Sequence, residues 1–159
     1  MSKGRAALER VAASEDDSGY NDEAEEDEMK ISALKLEPLL ATSPGESIGD
    51  AAERMRFYEV GSLAVLDDGS LVGIFTERDV LGAMADRCDP SRTPIVLYMT
   101  HGPTTISDDT DIADAAALML SLGVRHLPVL ESGAPVGMVS IRDVLLAELE
   151  LERDLANSG

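Results

Sequence analysis

Between residues 39 and 151 the apolar positions change period twice, and then the whole series of changes occurs again. Ile48, Ala51, Ala52 and Met55 recur at three- and four-residue spacing, which predicts a helix with one apolar face. Two continuous apolar runs follow, Leu63-Ala64-Val65-Leu66 and Leu71-Val72-Gly73-Ile74-Phe75, joined by Asp67-Asp68-Gly69-Ser70. Asp-Gly between such runs predicts a hairpin with a tight turn. Helical spacing returns at Val80, Leu81 and Met84, and Leu39-Leu40-Ala41-Thr42 reads as a short extended piece ahead of it all. The unit is therefore β-α-β-β-α.

The second unit lies 64 residues further on. Gly73-Ile74-Phe75-Thr76-Glu77-Arg78-Asp79 returns as Gly137-Met138-Val139-Ser140-Ile141-Arg142-Asp143, and Ile48, Ala51, Met55 and Val65 align without a gap on Ile112, Ala115, Met119 and Val129. A fixed offset of this length marks a tandem repeat. Its extended piece is Thr104-Thr105-Ile106, its hairpin turns at Glu131-Ser132-Gly133-Ala134, and its last helix is expected to continue to about Leu155. Asp89-Pro90-Ser91-Arg92-Thr93-Pro94 supplies breakers between the copies. The expected organisation is repeat one at 30–88, a linker at 89–97 and repeat two at 98–155. Each copy alone is near the size at which burial barely offsets ordering entropy, so the two are expected to share a core.

The composition of 44% hydrophobic and 3% aromatic residues, with no Trp, makes that core one of Val, Leu, Ile, Ala and Met. No stretch is long and apolar enough to span a bilayer, and the N-terminus lacks the apolar run of a signal peptide, so a cytoplasmic protein without a membrane partner is expected. The single Cys88 excludes an internal disulfide and a multi-cysteine zinc site. A net charge of −18 argues against nucleic acid, which requires a basic face. Residues 1–28 carry −7 of it, from three basic and ten acidic side chains, leaving −11 for the rest. Residues 1–29 are expected to form a disordered acidic tail, either a solubilising extension or a docking arm for a basic partner.

Thr76 and Ser140 each stand where a strand turns into a helix, with Asp79 and Asp143 three residues on. Ser/Thr-x-x-acid is a capping box, which accounts for the pattern structurally. The same corner suits a sugar phosphate. A helix start attracts anions, a hydroxyl can donate to a phosphate oxygen, and a carboxylate can accept from paired ribose hydroxyls. Gly73 and Gly137 interrupt apolar strands at matching positions, as where another group approaches the backbone closely, and suggest a pocket wall.

The pattern Gly-apolar-apolar-Ser/Thr-x-x-Asp, present twice, resembles a tandem CBS-domain pair, or Bateman module. Arg125-His126-Leu127-Pro128-Val129 before the second hairpin and Tyr98-Met99-Thr100 heading the second copy strengthen the likeness, which covers residues 35 to 150. The resemblance implies an α+β fold of the CBS type, two β-α-β-β-α repeats packed sheet to sheet about a pseudo-twofold axis, with adenosine-containing ligands in the clefts between them. Carried over by position, Asp79 and Asp143 match the ribose-binding acid, and Thr76 and Ser140 the hydroxyl that contacts ribose or phosphate. Arg78 and Arg142 match a position that reaches phosphates in some members, or are exposed helix-surface arginines. Thr105 and Ile106 fall on the first strand that lines the cleft, where copy one has Ala41 and Thr42. Copy one also shows Gly61-Ser62 in place of Arg125-His126, so the two clefts are not expected to be equivalent.

His126 has no serine or carboxylate pattern that would make it catalytic; with Arg125 it can instead add positive charge at a cleft mouth. Asp108-Asp109-Thr110-Asp111 lacks the glycine and closing glutamate of a calcium loop and reads as helix-capping acid. No metal or cofactor requirement is expected, and no enzymatic activity, because no nucleophile-base pair, metal cluster or phosphate loop is present. The expected function is a regulatory module that binds AMP, ADP or ATP, with S-adenosylmethionine or NAD as alternatives, and passes its state to a separate effector protein. The acidic background disfavours a triphosphate unless Mg²⁺ or convergent arginines assist. The resemblance also implies a homodimer. The alternative function is a ligand-free dimerisation and docking module.

Overall fold

In the computed structural model, residues 29–36 and 38–158 are described; the acidic-tail expectation lies outside them. The architecture is α+β, with two sheets and four helices among the described residues. In the first half, β1 (Ala41–Thr42) runs parallel to β2 (Ser62–Asp67), and β2 pairs antiparallel with β3 (Ser70–Thr76). Helix α1 (Ile48–Tyr58) connects β1 to β2, and α2 (Glu77–Ala85) follows β3. In the second half, β5 (Ile106–Ser107), α3 (Ile112–Leu122), β6 (His126–Glu131), β7 (Ala134–Ser140) and α4 (Ile141–Asn157) repeat that order. β4 (Thr100–His101) comes between.

The local chemistry is duplicated with the order. Asp68 and Gly69 have φ of 46° and 79°, and Ser132 and Gly133 have 49° and 82°, the paired positive values that a two-residue hairpin turn requires. Helices α1 and α3 both end on a left-handed residue, Glu59 at φ 55° and Gly123 at φ 65°.

The halves do not share one core. Ile48, Ala51, Met55, Leu63, Val65, Phe75 and Ala83 form one buried cluster, and Ile106, Ile112, Ala115, Met119, Leu127, Val129, Val139, Val144 and Ala147 form another. They are joined by exchange. Ile95 and Met99, which lie ahead of the first strand of the second half, complete the first cluster, while Ile31, which lies ahead of the first strand of the first half, completes the second. Matching backbone bonds hold the crossings: Ile95 N–H donates to the Glu46 carbonyl at 2.9 Å and Ile31 N–H to that of Thr110 at 2.9 Å. Burying each such isoleucine contributes about 1.5–3 kcal/mol, so each half depends on a segment adjacent in sequence to the other. The isolated copies read as too small to stand alone, and exchange answers that need without merging the two cores.

The crossing also explains the strand glycines. β4 pairs with β3, Gly73 opposite His101, and a Cβ on Gly73 would lie 2.7 Å from Met99 Sδ and 3.0 Å from the Thr100 carbonyl oxygen. Gly73 therefore admits the incoming lead-in strand, and Pro38 bridges to Gly137 in the same way. The close approach expected at these glycines is real, and at Gly73 its occupant is the chain itself.

Candidate functional site

Both hydroxyl–carboxylate corners are complete capping boxes. Asp79 Oδ2 accepts from Thr76 N–H at 2.7 Å and from Thr76 Oγ1 at 2.9 Å. Asp143 Oδ2 accepts from Ser140 N–H at 2.8 Å and from Ser140 Oγ at 2.7 Å. Both carboxylates are half-buried, and in each the cap occupies Oδ2 while Oδ1 has no hydrogen bond to a described residue. The cap and a ligand role are thus compatible, since an acceptor oxygen remains in each corner.

Each corner is tied to the start of its own hairpin. Ser62 lies opposite Thr76 and Glu77 N–H donates to the Gly61 carbonyl at 3.1 Å; His126 lies opposite Ser140 and Ile141 N–H donates to that of Arg125 at 2.9 Å. Across the halves, a Cβ on Gly61 would be 3.2 Å from His126 Cε1 and Nε2 and 3.4 Å from Glu77 Oε2. The imidazole therefore lies against bare backbone where the halves meet. Arg78 Nη1 reaches the Gly123 carbonyl at 3.5 Å, so the start of α2 faces the turn that leads into β6. Arg142 is exposed and has no such partner among the described residues.

Burial and then the adjacent Arg125 hold His126 below its ordinary pKa, with Glu77 and Asp143 pulling the other way. At neutral pH the positive charge beside this seam therefore comes from the exposed Arg125 and Arg78 rather than from the imidazole.

The remaining expected residues are placed elsewhere. Thr105 is half-buried and lines a cavity of about 510 Å³ with Gly69, Leu71, Pro103, Leu130 and Pro135, between the two hairpin tips. None of Thr76, Asp79, Ser140 and Asp143 lines it. Ile106 pairs with Val129 and packs into the second core at 7% exposure.

One polar cluster has no forecast in the sequence. Arg54 Nη2 pairs with Glu46 Oε1 at 2.5 Å, Arg54 Nη1 donates to the Ala41 carbonyl at 2.7 Å, and the Thr42 hydroxyl donates to Glu46. Burial raises the Glu46 pKa; Arg54 opposes that rise and Asp50 adds to it. At an offset of 64 the same positions hold Ile106, Thr110 and Leu118. Two polar-for-apolar differences and the exchange of Glu46 for a neutral Thr110 are the signal from which it could have been found. No group of three His, Cys, Asp or Glu suited to a metal occurs among the described residues, and no helix there is long and apolar enough to cross a membrane.

A family model for the CBS domain matches residues 31–86 and 95–150. The chain belongs to the CBS-domain family. The two matched intervals begin at Ile31 and Ile95, the residues whose side chains cross between halves, so a CBS unit in sequence includes a lead-in that packs in the other half. Among relatives of this CBS pair, the uncharacterized 17.7 kDa protein in the bps2 3' region of Acidianus ambivalens is 38% identical over 77% of this chain and 74% of its own length. Two solved CBS structures are complexes with AMP. PAE2072 of Pyrobaculum aerophilum has a TM-score of 0.68 at 27% identity, covering 75% of this chain and 97% of that one. CBSX2, from Arabidopsis thaliana, has a TM-score of 0.66 at 27% identity, covering 77% and 98%.

Proposed function

We propose that this CBS pair is a regulatory module that binds an adenine nucleotide of the AMP class between its halves and passes the bound state to a separate effector protein. The observation that carries this reading is the twofold hydroxyl–carboxylate corner, each acid keeping one oxygen clear of its cap. The AMP complexes of PAE2072 and CBSX2 support the ligand class. Asp79 and Asp143 would accept from ribose hydroxyls. Thr76, Ser140, Arg78, Arg142 and Arg125 would meet phosphate, with His126 at the seam. Thr105 would border the ligand on the first strand, where Ile106 offers backbone because its side chain is committed to the core. Two or three arginines against an acidic background favour AMP over ATP.

Regulation needs only that the ligand prefer one packing of the halves. The exchanged lead-ins supply the mechanical link, because any shift of one half moves a segment buried in the other. A docking role is compatible with this. Phe57, Leu81, Leu120, Leu145 and Leu149 are exposed on the four helices, at 80%, 70%, 78%, 54% and 56%, and form the surface through which a homodimer would assemble.

Thermal shift with AMP, ADP, ATP, S-adenosylmethionine and NAD tests the reading. A ligand at one hundred times its Kd should add about 2.7 kcal/mol of stability. No shift with any of the five, together with no heat in titration calorimetry, overturns it.

A further inference from the structure

Helix α4 outruns the core it serves. It has 17 residues where α2, its counterpart in the first half, has nine, and that difference adds about 12 Å of helix. Val144 and Ala147 are buried in the second cluster, and their stripe continues at four-residue spacing through half-buried Leu151 and on to Leu155. Leu155 is nevertheless 67% exposed. Glu148, Leu151, Glu152 and Leu155 stand at i, i+3, i+4 and i+7, so they share one face. At 100° per residue that face lies about 120° around the helix from Leu145 and Leu149, and is separate from the leucines of the homodimer surface.

The described chain enters the second half beside this overhang. Because β5 runs parallel to β6 and β6 antiparallel to β7, α3 starts at the end of the sheet toward which α4 runs. Met29 stands at that start, where its carbonyl accepts from Ile112 N–H at 2.9 Å and the neighbouring Lys30 pairs with Asp111 at 2.6 Å. The sequence ahead of Met29 is of two kinds. Residues 14–28 carry nine acids and no base, whereas residues 1–13 carry Lys3, Arg5 and Arg10 against Glu9 alone, with Leu8, Val11 and Ala12 at three- and four-residue spacing. The first thirteen residues are thus +2, against −3 for residues 148–157 from Glu148, Glu150, Glu152, Asp154 and Arg153. Like charge repels the acidic stretch from the overhang, so only residues 1–13 match it. The stretch 14–28 can span up to about 50 Å, several times the overhang's length.

We infer that residues 3–13 dock on the Glu148–Leu151–Glu152–Leu155 face of their own chain, Leu8 and Val11 covering the leucines while Arg5 and Arg10 pair with the glutamates. Hydrogen exchange of the full chain at low ionic strength tests this, read at the amides of residues 151–157. Arg5→Glu with Arg10→Glu should speed their exchange about threefold to tenfold, as expected for two exposed pairs and the contact they hold. Adding Glu148→Lys and Glu152→Lys should restore the protection, because the charges are opposite again. Glu148 and Glu152 are exposed and outside both cores, so the fold tolerates the exchange. Carbodiimide, which couples an amine to a carboxylate in contact with it, should join Lys3 to Glu148 or Glu152 within single chains of a mixture of light and heavy-isotope-labelled protein. Unchanged exchange in the double variant, or no recovery in the quadruple one, overturns the inference. Links between light and heavy chains would overturn it by giving the face to a second copy, as would protection that wild type lacks until polylysine is added, which would give it to a separate basic partner.

Discussion

The two halves agree wherever the backbone needs instruction and differ wherever a side chain faces the seam or the first strand. Capping boxes, left-handed helix ends, hairpin turns and crossing isoleucines all recur at the same offset. In contrast, Arg54–Glu46–Thr42 of the first half becomes Leu118, Thr110 and Ile106 in the second, and Gly61-Ser62 becomes Arg125-His126. Duplication kept the scaffold symmetric, and the divergence is concentrated where it can make two related surfaces do different things. Gly61 and His126 are complementary in this sense: the glycine in one half leaves the space that the imidazole from the other fills.

The strongest way to break the comparison is to attack a crossing residue. Ile95→Ala empties a fully buried site and should cost about 2–5 kcal/mol. Its mirror, Ile31→Ala, should cost a similar amount. The locations of the damage should be exchanged. Hydrogen exchange should show the largest loss of protection around α1, β2 and β3 for Ile95→Ala and around α3, β6 and β7 for Ile31→Ala. Damage confined to the half that follows each residue in sequence would show that the exchanged packing does not carry the stability.

These residues also mark where sequence reading reaches its limit. The helices, both hairpins and both corners were legible because their signals are local: three- and four-residue periodicity, Asp-Gly or Ser-Gly at a turn, a hydroxyl three residues before an acid. The crossings were not, because a lead-in's partner lies in the other half and nothing in Pro94-Ile95-Val96-Leu97 states which core will take the isoleucine. Gly73 was legible as a site of close approach, but its occupant, Met99, was not. Of the candidate site, residue identities came from the repeat, whereas the contact of His126 with Gly61 and the placing of Thr105 on a cavity apart from both corners needed coordinates.

A second substitution sharpens the contrast at the first strand. Arg54→Leu installs the residue that the second half uses, but leaves Glu46 and the Ala41 carbonyl without their guanidinium partner, at a cost of about 1–3 kcal/mol. Adding Glu46→Thr, again the second half's residue, should recover part of that loss, a non-additivity expected of side chains in contact. The single variant should also be less impaired in acid. Glu46 already has a raised pKa and loses the charge that opposes the rise. A carboxyl raised on folding is better tolerated protonated, so its penalty is absent below the unfolded value and develops as pH rises through the folded one. Urea denaturation from neutral pH down toward the carboxylate range would show the difference between Arg54→Leu and wild type shrinking; a constant difference would place the cost in packing instead.

The smallest expected effect concerns His126, where the halves touch. Its pKa is lowered on folding, first by burial and then by Arg125, so the folded state prefers the neutral ring. That preference contributes fully above the unfolded value of about 6.5 and is lost as pH falls through the lower folded value. Melting temperature should therefore decline between about pH 7 and pH 5 more steeply in wild type than in His126→Ser, the residue that stands at the equivalent position of the first half. If the two profiles run parallel, the imidazole is not titrating against the fold. A phosphate bound near Arg125 would reverse the sign, because an anion beside the ring favours the imidazolium and partly cancels the depression. AMP binding should then gain a contribution from protonation of His126 as pH falls through this range, set against the loss from the phosphate's own protonation at about pH 6, and His126→Ser should remove that gain.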